Sequence, residues 1–184
     1  MNIQTLKEAS DCLLNLITSD CLQTEQILLK DAFERILAKD IISVIPVPSF
    51  SRSAYDGYAL RQADTSGATQ KHPVTLKVTE VIPAGSIPKY PITEGKAARI
   101  MTGAPVPEGA DAIIMHERTT FTDTTVTLNA PVMCNNIVPP GEDVEKGTLL
   151  VPKGKLLTAS DLALIAGQGI AEIPVYKKLS VGLI

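Results

Sequence analysis

The sequence predicts an α+β fold that is mostly β, an elongated α/β dimerisation module interrupted by an inserted β-rich, barrel-like module. Three observations carry this expectation. Helical periodicity is confined to the two ends of the chain, while residues 50 to about 144 are rich in Pro, Gly, Thr and Val with strand-like alternation. Paired prolines stand at both junctions, in PVPS (46–49) and PPGEDV (139–144), where stiff connections suit a double crossing. The expected domains are 1–45 with 145–178 for the α/β module and 46–144 for the insertion. Residues 179–184, LSVGLI, are expected to open a further α/β domain, because an apolar, β-branched strand needs neighbours to bury it.

Element by element, Ile3, Leu6, Ala9, Leu13, Leu16 and Ile17 recur at helical spacing opposite Lys7, Glu8, Asp11 and Asn15. This gives an amphipathic helix over 3–17 with one face in need of a partner. TEQILL (24–29) reads as a short strand, KDAFERIL (30–37) as a short helix, and AKDIISVI (38–45) as a strand or extended exit. Pro46 and Pro48 then exclude a helix. In the centre, VTLKVTEVI (74–82) alternates as a strand does, and RTTFTDTTVTLNAPV (118–132) has the pattern of a hairpin turning at TDTT. GTLLVPKGKLL (147–157) predicts strand, turn and strand. TASDLALIAGQG follows with a helix capped by Thr158 or Ser160 and ended by Gly167 or Gly169, before a strand in IAEIPVYK (170–177).

At 184 residues and 45% hydrophobic the chain can bury a core. A net charge of −3 argues against a nucleic-acid coat, whose footprint would be basic, and leaves small anions to a local basic pocket. Cys12, Cys21 and Cys134 form no CxxC, and no histidine stands at zinc-ligand spacing, which predicts a reducing compartment without structural metal. No secretory leader pattern and no run of ~20 apolar residues occurs, so a cytoplasmic protein without a membrane partner is expected.

Three segments concentrate the polar residues and glycines a site needs. They are SRSAYDGYALR (51–61) with Arg52, Ser53 and Asp56, RIMTGAPVPEGAD (99–111) with Thr102 and Gly103, and PPGEDVEKG (139–147) with Glu142 and Asp143. Carboxylates can hold Mg²⁺ or accept protons, a threonine beside a glycine can approach an anion closely, and arginine can pair with one. The same residue types also build turns. Asp56-Gly57 in particular reads either as a hairpin turn or as a chemical group. His72 and His116 have no sequence-near ligand partner and read as core or surface residues.

PVPSFSRSAYDGYAL, IPAG, ARIMTGAPVPEGADAIIMHE, PPGEDVEKG and LLTASDLALIAGQGIAEIPVYKKLSVGLI resemble, in order, the N-terminal half of the molybdopterin molybdenumtransferase (MoeA-type) family, related to the gephyrin E domain. The resemblance implies a transferase of molybdenum cofactor synthesis. Such an enzyme takes adenylylated molybdopterin and molybdate as substrates, requires Mg²⁺ and releases AMP. It implies a homodimer whose cleft combines both subunits, with the molybdopterin adenylyltransferase as a candidate partner. Carried over by motif, Asp56, Thr102 and Asp143 fall on catalytic positions, with Arg52, Ser53, Gly103 and Glu142 as substrate-binding residues; the metal ligands are left unassigned. Pro139-Pro140 depart from the basic residues many members carry before GED. The family's pterin-binding α/β domain would follow residue 184, so the expectation for these 184 residues alone is little or no turnover. The competing expectation is a non-catalytic dimerising scaffold of the gephyrin kind.

Overall fold

The computed structural model describes residues 5–16, 22–133 and 135–180. Helix α1 (Leu6–Leu16) comes first, followed by β1 (Thr24–Leu28), β2 (Ile41–Ile42), β3 (Arg52–Ser53), β4 (Gly57–Leu60) and β5 (Val74–Ile82). Strands β6 (Lys96–Ile100), β7 (Ala112–Met115), β8 (Thr120–Phe121), β9 (Thr125–Leu128) and β10 (Ile137–Val138) complete the centre. The chain continues through β11 (Leu149–Val151), α2 (Ala159–Gly167) and β12 (Glu172–Tyr176). The fold is therefore mostly β with two helices. It divides into two compact units, residues 1–44 with 147–184, and residues 45–146.

In the first unit β1 pairs antiparallel with β12, and β2 with β11. Their inward residues Ile41, Val151, Ile173 and Val175 meet Leu37, Leu157 and Ile165 of α2 in one core. Helix α2 starts where the sequence predicts. Thr158 caps it, and Asp161 closes a capping box by accepting from the Thr158 backbone N–H. Helix α1 is likewise opened by a reciprocal pair, Thr5 and Glu8. Its expected apolar face stands open, with Leu6 and Leu13 well exposed.

The helix predicted over 30–37 does not form. A 3-10 turn spans only Leu29–Asp31, and Glu34 takes a left-handed φ of 58°. The Glu34 and Leu37 N–H groups instead donate to the carbonyls of Leu157 and Lys155, with Ile36 bridging Leu156. An eight-residue helix has a costly nucleus, and pairing with a distant segment satisfies the same backbone groups while burying Ala32 and Leu37. For the same reason the second strand expected in 147–157 is reduced to that single bridge. The ends of the predicted helix at residues 3, 4 and 17 lie outside the described residues, as do Cys21, Cys134 and positions 181–184 of the expected terminal strand.

The second unit is built on a six-stranded sheet in the order β7-β4-β6-β5-β9-β8. All its pairings are antiparallel except β5 with β6. The alternating segment 74–82 and the hairpin turning at 122–124 are where the sequence puts them. Both faces of the sheet are covered. Tyr58 and Leu60 of β4 join Leu76, Val126 and Leu128 on one face, whereas Ala59 joins Ile82, Ala98, Ile100 and Ile113 on the other. Period-two alternation thus buries all four residues of β4, and holds rigid the strand that follows Asp56. Among the described residues no helix is long and apolar enough to cross a membrane.

Candidate functional site

Asp56 lies in the bend between β3 and β4, and these two strands do not pair with each other. Asp-Gly is therefore no hairpin turn here. Gly57 is needed for a different reason, since β7 approaches so closely that a Cβ on Gly57 would come within 2.0 Å of the Ile114 carbonyl oxygen. Of the two flanking tyrosines, Tyr58 is buried and Tyr55 is exposed, so only one packs into the unit. Burial raises the Tyr58 phenol above its ordinary pKa.

Directly after β6, the chain turns through Met101–Ala104 with Gly103 at φ 79°. Two backbone bonds lock this turn to β3: Gly103 N–H donates to the Ser53 carbonyl and Ser53 N–H to the Ala104 carbonyl, both at 2.9 Å. The lock places Thr102 against Asp56. Oδ1 of Asp56 accepts from the Thr102 backbone N–H at 2.7 Å and from its hydroxyl at 2.8 Å. Both donors favour the charged carboxylate and, with lesser contributions from the neighbouring His116 and Arg99, hold its pKa below the ordinary value although partial desolvation opposes them. The pair is exposed, and among the described residues Oδ2 has no hydrogen-bond partner.

The third predicted segment arrives through β10, which pairs with β3 so that Val138 faces Arg52. Gly141 and Asp143 N–H groups donate to the carbonyls of Pro48 and Val47. Asp143 then stands 3.5 Å from the Arg52 guanidinium. Glu142 is exposed on the same loop. Ser53 is buried, with its hydroxyl donating to the Tyr55 carbonyl. All three segments thus converge on β3: Ser53 anchors the loop of Thr102 and Gly103, and Arg52 meets Asp143.

Sequence reasoning missed two residues at this corner. His116 donates its N–H to the Asp56 carbonyl at 3.1 Å, and its ring lies 4.1 Å from Phe121 and 5.9 Å from Tyr58. Arg99 is the cross-strand partner of Tyr58. Neither carries a local signal, because only the registers Gly57↔Met115 and Tyr58↔Arg99 bring them near.

The sequence profile described as MoeA N-terminal region (domain I and II) matches residues 4–169. The chain belongs to this family. Molybdopterin molybdenumtransferase of Bacillus subtilis (strain 168) is 40% identical over 167 residues, covering 88% of this chain and 39% of that protein. The protein of the same name from Haemophilus influenzae is 44% identical over 164 residues, again 88% and 39%. A crystal structure of the molybdopterin biosynthesis MoeA protein from Pyrococcus horikosii superimposes with a TM-score of 0.85 at 35% identity, over 96% of this chain and 45% of that one. The chain spans about two fifths of the length of the curated relatives it matches.

In this MoeA N-terminal region, no group of three or more His, Cys, Asp and Glu side chains that could hold a metal ion occurs among the described residues. Asp56 spends one oxygen on Thr102, and Asp143 faces Arg52. These residues do not fit a Mg²⁺ shell of their own.

Proposed function

We propose that this chain supplies the Asp56–Thr102 wall of a molybdenumtransferase site, in a protein that inserts molybdenum from molybdate into adenylylated molybdopterin and releases AMP. The observation that carries the reading is the exposed carboxylate of Asp56, held ionised by both donors of Thr102. The relatives' names support molybdenum transfer to molybdopterin, and the family resemblance implies the adenylylated substrate, the release of AMP and the roles of Asp56, Thr102 and Asp143.

The geometry sharpens the roles. A carboxylate with a lowered pKa is a weak proton acceptor, so Asp56 works chiefly by orienting a donor and by its charge. The Thr102 hydroxyl already donates its hydrogen bond to Asp56 and offers only acceptor lone pairs outward. This corner therefore suits an attacking water or a ligand hydroxyl, and it disfavours a bare phosphate. The anionic part of the substrate is better matched to Arg52, which exchanges its contact with exposed Asp143 for a bidentate one. Ser53 and Gly103 act as positioning residues through their backbone lock, and Glu142 offers a further acceptor. Mg²⁺ is the expected cofactor of the reaction, and its ligands would come from outside these residues.

Homodimerisation and cytoplasmic residence belong to the same reading. Ile42 and Leu149 are paired across β2 and β11 and both exposed, as are Ile36 and Leu156 across their bridge, which supports a second copy covering that surface. The experiment is to supply adenylylated molybdopterin, Mg²⁺ and molybdate to a polypeptide of the relatives' full length that carries these residues. AMP release and protein-bound molybdenum are expected. A well-folded protein giving neither would leave the scaffold reading in its place.

A further inference from the structure

At the opposite end of β6 from Thr102, the sheet carries an arrangement that the molybdenum reading does not use. Lys77 of β5 and Lys96 of β6 are register partners in the parallel pair, and both are exposed. Neighbouring strands lie about 4.8 Å apart, so two ammonium-bearing stems rise side by side, which costs stability unless an anion joins them. Among the described residues neither lysine has an ion-pair partner.

Two nearby carboxylates are committed elsewhere. Glu80 accepts the backbone N–H groups of Lys89 and Tyr90, and Asp64 accepts that of Gly95. Both hold the walls of a groove in place, and neither forms an ion pair with Lys77 or Lys96. The groove has a volume of about 350 Å³, and besides the lysines it is lined by Thr79, Thr93, Tyr90 and Pro91. Tyr90 is more than half exposed. Lys96 opens β6 and Ile100 closes it two residues before Thr102, so the strand alone separates the groove from the Asp56 corner by about 13 Å.

We propose that this groove is a binding site for a phosphate monoester with a flat ring, of nucleoside monophosphate size. Lys77 and Lys96 take the phosphate between them, the Thr93 hydroxyl lies within the same groove, and Tyr90 stacks on the ring, while the Thr79 hydroxyl donates to the Ala97 carbonyl and serves only as wall. The proposal does not rest on the molybdenum reading, and it uses none of that site's residues.

The test is an NMR titration of the ¹⁵N-labelled 184-residue chain with AMP, inorganic phosphate and adenosine at low ionic strength. AMP is expected to shift the amides of 77–79 and 90–96 saturably, with phosphate and adenosine each binding more weakly. The paired substitutions Lys77→Gln and Lys96→Gln should weaken AMP roughly tenfold or more while leaving the rest of the spectrum in place. Tyr90→Ala should weaken AMP and spare phosphate. The proposal is overturned if AMP shifts none of these amides, if its shifts centre on 52–56 and 102–103, or if the lysine variant binds as the unmodified chain does. Phosphate binding as tightly as AMP would remove the ring platform from it.

Discussion

Two carboxylates in this chain have nearly the same partner and opposite circumstances. Asp161 accepts from the backbone N–H of Thr158 at 3.0 Å and from its hydroxyl at 2.7 Å. Asp56 accepts the same two groups from Thr102 at 2.7 and 2.8 Å. Asp161 is buried, its threonine is three residues away at the start of α2, and its other oxygen takes the Lys155 ammonium at 2.6 Å. Asp56 is exposed, its threonine is 46 residues away, and its other oxygen faces outward. The first pair is closed by its own segment and completes a helix cap. The second is assembled by sheet register and leaves half of a charged group to a ligand. An Asp–Thr pair thus does not announce its role by its own hydrogen bonds, and what separates the two is whether the second oxygen is already used.

The strongest way to break the comparison is through the strand that positions Asp56. Gly57→Ala puts a methyl group 2.0 Å from the Ile114 carbonyl oxygen, a backbone atom that cannot swing aside. Overpacking of this kind should cost about 3 kcal/mol or more, read as a lowered urea midpoint for the 45–146 unit. Asp161→Ala comes next. Removing a buried capping carboxylate with a charged partner should cost about 2 kcal/mol by the same measurement.

Acid sharpens the comparison further. Asp161 is held at a pKa of about 2, against an ordinary 3.8, first by Lys155 and then by Thr158. A depressed carboxylate stabilises the fold above its ordinary value, and that contribution disappears as pH falls from 3.8 through 2. The stability gap between the unmodified chain and Asp161→Asn should therefore be full at neutral pH and shrink between about pH 4 and pH 2. A gap that stays constant across that range would separate Asp161 from the cap's stability. The smallest effect is expected for Asp56→Asn in this chain, which should lower the neutral-pH urea midpoint only slightly, because the carboxylate is exposed and an amide oxygen still accepts from Thr102.

The difference between the pairs also explains what the sequence makes legible. The helix start at Thr158 or Ser160 is legible because both cap candidates and the following apolar residues lie in one short window, and the capping box with Asp161 decides for Thr158. The strand 74–82 and the hairpin at 122–124 are legible on the same terms, by alternation and turn residues. The helix expected over 30–37 fails where a distant segment, 155–157, takes its backbone donors. At Asp56 the local pattern stays divided between turn and chemical group, since its partner Thr102 and its neighbours His116 and Arg99 arrive by register alone. The family resemblance singles out Asp56, Thr102 and Asp143, and the geometry adds that Asp56 and Thr102 form one unit. Gly57, which reads as half of a turn, is the residue that lets β7 close against β4.

The central claim is that Asp56 is a group kept ready for a ligand, distinct from a structural cap of the Asp161 kind. AMP release from adenylylated molybdopterin by Asp56→Asn, in a polypeptide of the relatives' full length, tests it most directly. The substitution keeps the size of the side chain and removes the charge. The account predicts that turnover falls roughly a hundredfold while the urea midpoint falls only slightly. Undiminished turnover with the same midpoint would contradict it and return Asp56 to a purely local role in its bend.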